Sequence, residues 1–542
     1  MSSRSANQVH IQAEIFRPPL SYPTYPYDEI LTISAQRYPE NVALVFKEVS
    51  LTYRELEALV NIFAHALRSL GIHKGDTVCL LMTNRPEFLI SWFAIIRIGA
   101  VASPMNPAYK EREVSYQLSN SEATTVIVQQ RLLPLVEAAR SETPMLKHVI
   151  VVGANDNLAS ESTMSLHSFK DLIAAHPLPS APVRESWTWE DVIVLPYSSG
   201  TTGLPKGVML SQKNLVYNAC QQLATARITA LDRMLIFLPL YHIYGIMLLG
   251  QAAMSGATIV LMERFDATTS LEQIQRYGIT LLYAVPQVLA IFNDWPQLHD
   301  YKLDTIRYVQ CGAAPVPPAL AHRFEQLTNL VVMTSYGLTE ASPATHSNPV
   351  YNKDLIKVET IGLPVHDTQQ KIVDIETGEI ELGVGEEGEL IVQGPQVMQG
   401  YWRAPEATAD ALRNGWLYTG DIGWRDEAGY VTITDRKKEL IKYKGFSVAP
   451  AQIEALLLEH PAVSDVAVIA RLSEEAGEVP KAFVVRRAGY EQVSGDELMT
   501  WANGKLATFK NVREIEFTTT IPRNPSGKIL RRILKEQDRQ KP

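Results

Sequence analysis

Residues Val192–Gly207 read VIVLPYSSGTTGLPKG. The apolar, mostly β-branched run before Pro196 predicts a short buried strand over Val192–Leu195. Directly behind it, Tyr197–Gly207 concentrates hydroxyls, glycines and one lysine. Gly200 and Gly203 allow positive φ and close backbone approach, so successive N–H groups can converge on oxygens. Ser198, Ser199, Thr201 and Thr202 add donors, and Lys206 adds a point charge. By composition this is a phosphate cradle. It is not a Walker A loop, because Pro205 stands where the second glycine belongs and Gly207 stands where Ser or Thr should bind magnesium. The plainer alternative, a flexible Ser/Gly surface loop, fits poorly behind a buried strand that ends so close to it.

Outward from this loop the chain alternates between helical and strand patterns. Apolar residues recur at helical spacing from Tyr53 to Leu70, and a Lys74-Gly75-Asp76 turn leads into the apolar run Val78–Met82. Arg85–Ile98 reads as a helix, and Thr125–Val128, Val149–Val152 and Asp191–Leu195 read as strands. Ile279–Val285, Ile306–Val309 and Leu330–Thr334 continue the series. Short β-branched runs between amphipathic helices predict largely parallel, buried strands. From about Ile361 the texture changes. Glu376–Glu389 holds six glutamates among Gly and β-branched residues, which predicts a solvated hairpin in a smaller antiparallel sheet, with a cation site as the alternative. A fresh α/β pattern starts at Gln452–Leu458. The expected fold is therefore α/β: a large N-terminal domain (1–437) of mainly parallel sheets with helices and a small β subdomain (about 361–437), followed by a small α+β C-terminal domain (438–542).

With 542 residues, and roughly 100 to 200 residues per domain, several domains or one large α/β unit with an appendage are expected. Hydrophobic residues make up 46% and charged residues 20%, enough for a substantial core. The net charge of −9 argues against polyanion binding, so nucleic acid is excluded as a partner and phosphorylated substrates must be met by local cations. Cys79, Cys220 and Cys311 show no metal-ligand spacing and read as reduced core thiols in a cytoplasmic protein. The first residues lack the apolar stretch of a signal peptide. Leu235–Met254 has about the length of a membrane span, but Pro239, His242 and two glycines interrupt it, so a buried strand, turn and helix is expected instead of a transmembrane segment.

Further motifs follow in order: FLPLYHIYG with His242, VQCGAAP with Gly312–Pro315, TSYGLTEAS with Tyr336, Thr339 and Glu340, WLYTGDIG with Asp421, DRKKELIKYKG with Arg436, Lys438 and Lys442, and PRNPSGKILRR with Lys528. On residue type alone His242 reads as a core histidine, Glu340 as an exposed loop residue, and the charged run as a solvated face. Asp421 reads as a carboxylate in a Gly-rich turn. From Ile521 to the end seven Lys or Arg face Glu536 and Asp538, a basic tail as readily as a catalytic device. A hard carboxylate such as Glu340 could nevertheless hold Mg²⁺.

Together with YSSGTTGLPKG, these motifs resemble the adenylate-forming superfamily, which holds acyl-CoA synthetases, aryl-CoA ligases, luciferases and peptide-synthetase adenylation domains. The resemblance runs from about Leu51 onward and is nearest to the 4-coumarate–CoA ligase and fatty acyl-CoA synthetase branch, notably through KELIKYKGF and VAPAQIEALL. It implies an ATP-dependent acid–CoA ligase working through an acyl-adenylate, with ATP, Mg²⁺ and coenzyme A, and a monomer or homodimer. The glycine-rich loop with Lys206 would take phosphates and Glu340 would hold Mg²⁺. Gly312, Ala313, Ala314, Tyr336 and Gly337 would form the adenine slot, and Thr339 would be both a nucleotide-binding and a catalytic residue. Asp421 would bind the ribose diol with Arg436 assisting. Lys528 would supply charge for adenylation, and His242 would gate the carboxylate. The C-terminal domain would be mobile, with Lys438 as the hinge. Lys442 would serve thioester formation, with Lys444, Gly445 and Phe446 at the CoA passage. Tyr241, Met247, Leu248, Cys311 and Ala313 suggest an apolar acyl pocket suited to fatty or aryl acids. Ser447 stands where many plant 4-coumarate ligases have Gln, and Gln310 is unlike their basic pocket residue. A peptide-synthetase adenylation domain would present an Asp to pair an amino group, which FLPLYHIYG does not offer, and a luciferase-like oxidation shares all the motifs. A silent nucleotide-binding scaffold is disfavoured by the full set of Lys206, Glu340, Asp421, Arg436, Lys442 and Lys528.

Overall fold

The computed structural model describes residues 18–153, 165–179, 181–198, 205–444, 446–473, 476–523 and 527–540, with the side chains at 446 and 447 excepted. The phosphate-loop candidates Ser199, Gly200, Thr201, Thr202 and Gly203, together with Gly445, lie outside the described residues, as does the Phe446 side chain.

Two nine-stranded sheets dominate the large N-terminal part. In the first, the strands Val42–Phe46, Thr258–Leu261, Arg233–Ile236, Leu281–Ala284, Tyr308–Cys311 and Val332–Gly337 lie side by side and parallel. The second places Val192–Val194, Val101–Met105, Thr77–Leu81, Thr125–Gln129, His148–Val152 and Ser165–Ser168 parallel in that order.

Strand pleating sorts the side chains of this second sheet. Leu80, Ile127 and Ile150 join the main core, whereas Cys79, Val126, Val128 and Val149 pack on the other side with Val114, Leu118 and Val136. Burial on both faces explains why these strands read as continuous apolar runs. Helix starts follow local chemistry. Thr52 caps Tyr53–Ser69 in a capping box with Glu55, and Ser211 caps Gln212–Ala226 with Asn214.

The suspected span resolves into the strand Arg233–Ile236, a turn and the helix Ile243–Ser255, buried along nearly its whole length. Among the described residues no helix is long and apolar enough to cross a membrane.

A third, antiparallel sheet is built from Gln369–Val373, Gly388–Gln393, Trp416–Arg425, Leu412–Arg413 and Val431–Arg436. Here two readings are corrected. The hairpin arms are Gln369–Val373 and Gly388–Gln393, so most of the glutamate-rich segment is their connection. Glu389 is buried, not solvated: its carboxylate takes the Lys437 ammonium at 2.8 Å and the Gly420 N–H at 3.1 Å. Asp421 lies within the long strand Trp416–Arg425 rather than in a turn, opposite Arg436.

The C-terminal part carries a fourth sheet of Ile441–Tyr443, Phe446–Val448, Val463–Ser473 and Gly477–Arg486, with Glu514–Phe517 joined to it in parallel. The helix Pro450–Leu458 meets the third sheet through Asp435, whose Oδ2 accepts the Ala451 N–H at 2.9 Å. The last helix, Arg531–Arg539, is pinned by buried ion pairs: Arg531 on Glu454 at 2.7 and 2.8 Å, and Lys481 on Asp538 at 2.6 Å. These pairs place the segment containing Lys528.

Candidate active site

In open α/β sheets a crevice forms beyond the carboxyl ends of the parallel strands. Gly312 follows the strand Tyr308–Cys311, Gly337 ends the strand Val332–Gly337, and Gln287 follows Leu281–Ala284 by three residues. Backbone crowding dictates the residue types here. A Cβ on Gly337 would lie 2.2 Å from the Pro343 carbonyl oxygen. Ala313 is exposed and holds a positive φ of 67°, a strained conformation for a residue with a side chain.

Tyr336 donates its hydroxyl to Asp421 Oδ2 at 2.5 Å, and Arg436 Nε meets Asp421 Oδ1 at 2.9 Å. The Asp421 carboxylate, buried between them, raises the pKa of Arg436 further, so the guanidinium is a fixed cation. Burial, and next the Arg436 charge, lower Lys528 to about 8, partly offset by Asp421 and Glu439. Burial and the Lys528 charge bring His242 down to about 4, which leaves its imidazole neutral near pH 7. His242 Nδ1 accepts the Tyr244 N–H at 3.2 Å as the N-cap of the helix Ile243–Ser255. The remaining proton therefore belongs on Nε2. Tyr336, Asp421, Arg436, Lys528 and His242 thus act on one another electrostatically.

A second group forms around Tyr401. The short strand Gly400–Tyr401 pairs with Val208 and Met209 just after the glycine-rich loop. Tyr401 donates its hydroxyl to Glu340 Oε1 at 2.9 Å, while the Lys206 ammonium sits 5.1 Å from the Tyr401 ring centroid. Glu340 occupies a one-turn 3₁₀ helix opened by Thr339. Ser198 pairs with Lys206 and Tyr197 with Gly207, so the loop joins two antiparallel strands instead of a strand and a helix. Among the described residues no group of three or more His, Cys, Asp or Glu side chains is placed to hold a metal ion. A site with one carboxylate suits Mg²⁺, which keeps waters and shares the oxygens of a bound phosphate. The donor set around Glu340 therefore fits that ion.

The other candidates are placed differently. Lys438, Lys442 and Lys444 are exposed. The Lys442 N–H donates to Glu478 Oε2 at 2.7 Å, and Lys444 has φ 46° beyond the strand Ile441–Tyr443. Lys437, next to the hinge candidate, is held by Glu389 and by the Gly420 carbonyl. Of the acyl-pocket candidates, Met247, Leu248 and Cys311 are buried in the main core, Tyr241 is half-buried against it and Ala313 is exposed. Tyr401, Gln287 and the Glu389–Lys437 pair escaped the sequence reading. The Tyr401–Glu340 contact spans 61 residues, and no spacing signals it.

Residues 31–402 match the model of the AMP-binding enzyme family. The chain belongs to that family. Residues 452–528 of this AMP-binding enzyme match the family's C-terminal domain. It is 38% identical over 500 residues to 4-coumarate–CoA ligase 3 of Oryza sativa subsp. japonica, covering 90% of the chain and 87% of the relative. With the long-chain-fatty-acid–CoA ligase of Bacillus subtilis (strain 168) it shares 32% over 539 residues and 96% of each chain. Among solved structures, the anthranilate–CoA ligase AuaEII in complex with anthranoyl-AMP superposes with a TM-score of 0.85 at 28% identity, covering 95% and 97% of the two chains. ATP-bound MatB from Rhodopseudomonas palustris does so with 0.86 at 27%, covering 95% and 99%. This AMP-binding enzyme is an acid–thiol ligase of the adenylate-forming superfamily, near the 4-coumarate and fatty-acid ligase branches.

Proposed function

We propose that the enzyme activates an apolar fatty or aryl carboxylic acid with ATP as an acyl-adenylate and transfers the acyl group to coenzyme A. The observation that carries this reading is the buried Asp421 carboxylate bonded by Tyr336 and Arg436, with the Lys528 charge acting on the same carboxylate. An acid's carboxylate and a nucleotide's α-phosphate repel each other, so fixed cations and orientation must lower that barrier.

In the first step a carboxylate oxygen attacks the α-phosphorus, the bond to the β-phosphate breaks and pyrophosphate leaves with its electron pair. Lys528 neutralises charge growing on the α-phosphoryl oxygens. Asp421 takes the ribose hydroxyls, and Arg436 and Tyr336 fix its orientation. Gly312–Ala314, Tyr336 and Gly337 form the adenine slot. Residues 198–203 and Lys206 receive the β- and γ-phosphates, with Thr339 beside them. Glu340 holds Mg²⁺, which when bound offsets phosphate charge. The neutral His242 donates its Nε2 proton toward the acid's carboxylate, at the mouth of an apolar site that Tyr241 and Ala313 reach, with Met247, Leu248 and Cys311 packed in the core.

In the second step the thiol sulfur of coenzyme A attacks the acyl carbon, AMP leaves and the thiol proton is released. Residues 438–542 rotate about Lys438 as one domain against 1–437, with the β-rich part near 361–437 staying on the large side. Lys442 then replaces Lys528, and Lys444, Gly445 and Phe446 line the pantetheine path.

An assay of the full chain with ATP, Mg²⁺ and acids from acetate to long-chain and cinnamic acids, with and without coenzyme A, tests this. CoA-dependent AMP and thioester from one acid class support it. Adenylate that coenzyme A never discharges would point to a carrier protein or an oxidative second step, and ADP in place of AMP would refute the adenylate.

A further inference from the structure

We infer that Gln287 is a positioning residue for adenylation: its side-chain amide latches the Gly527–Lys528 segment onto the large domain and so holds the Lys528 ammonium in place. This inference rests on the two-step reading above. Gln287 lies in the first turn of the helix Pro286–Asn293, at the carboxyl end of the first parallel sheet. Its Nε2 donates to the Gly527 carbonyl at 3.0 Å, across 240 residues of sequence.

The same carbonyl is gripped from the other side. Arg523 donates Nη1 to it at 2.9 Å and Nη2 to Asp465 at 2.7 Å. Arg523, Asp465 and Gly527 all belong to the C-terminal part, so that grip travels with the segment. Gln287 is the half of the clamp that stays behind.

Steric fit supports the assignment. Gly527 has a φ of +83°, and a Cβ there would lie 2.2 Å from Gln287 Oε1, so a side chain at 527 would force the amide out of its present position. Gln287 Oε1 is buried with no hydrogen-bond partner among the described residues. Docking leaves this acceptor dehydrated and undocking returns it to water, which makes the contact a releasable latch.

The two half-reactions of the full-length enzyme test this. ATP–pyrophosphate exchange reports adenylation, and supplied acyl-adenylate plus coenzyme A reports thioester formation. Gln287→Leu keeps the side chain's bulk and loses the bond. It should lower exchange about tenfold, the worth of one hydrogen bond, mostly in kcat, while thioester formation stays within about twofold of the parent. Gly527→Ala should show the same split, and the double variant should be no worse than the poorer single one. Equal loss in both half-reactions, or no loss in either, would overturn the latch. Absence of exchange in the unsubstituted enzyme would instead overturn the adenylate reading, and the latch with it.

Discussion

Each oxygen of the Asp421 carboxylate already has a partner, Tyr336 on one and Arg436 on the other. A carboxylate offers about four lone-pair sites, so two remain for a ribose diol. Asp421→Asn should raise the KM for ATP about ten- to a hundredfold, the range of one charge-assisted bond of ~1.5–3 kcal/mol. An unchanged KM in initial-rate kinetics would remove Asp421 from the nucleotide site. Lys528 yields a prediction in pH. With its pKa lowered to about 8 by burial first and Arg436 second, it is charged below that pH and loses its charge above. Adenylation kcat/KM should therefore fall above about pH 8, and Lys528→Arg should abolish that limb because guanidinium does not titrate there. Docking runs with the opposite sign. The cost of burying the cation is present below about pH 8 and is relieved toward 10.5, so the Lys528 segment docks more firmly as pH rises.

At the scale of elements, buried parallel strands were legible because runs such as Val149–Val152 are apolar on both faces. Pairing between distant segments was not. Nothing near Tyr401 indicates that its strand lies against Val208 and Met209 and brings its hydroxyl to Glu340. Asp421 read as a turn residue because Gly420 and Gly423 flank it. The glycines serve the strand instead: Gly420 takes a φ of +71°, and Gly423 sits where a Cβ would lie 2.2 Å from the Thr432 carbonyl oxygen. Glu389 read as solvated because the alternation around it is polar, but the Lys437 that buries it lies 48 residues away. The motifs suggested roles for Lys528, Asp421 and Glu340, while the contacts that orient them are tertiary. Tyr401→Phe tests one such contact. Loss of a group that orients a metal-binding carboxylate commonly costs ~10-fold in affinity or more, so on the proposed role of Glu340 the Mg²⁺ concentration for half-maximal adenylation should rise about as much. An unaltered Mg²⁺ dependence would separate Tyr401 from the ion.

Across the whole molecule, Lys528 is half-buried beside His242 and Arg436 while Lys442 is exposed on a hairpin of the fourth sheet. On the proposed two-step reading, one arrangement of the C-terminal part serves Lys528 and the second step takes another for Lys442. Lys442→Ala should leave ATP–pyrophosphate exchange within about twofold and lower thioester formation ~100-fold, the worth of one lost electrostatic donor. Equal loss in both would refute the division of labour. The most direct test of the account is Lys528→Ala, assayed for exchange and for conversion of supplied acyl-adenylate to thioester. Exchange is expected to fall ~10²- to 10³-fold while thioester formation persists. Exchange at the parent rate, or loss of both steps together, would contradict the claim that Lys528 serves adenylation in the docked arrangement.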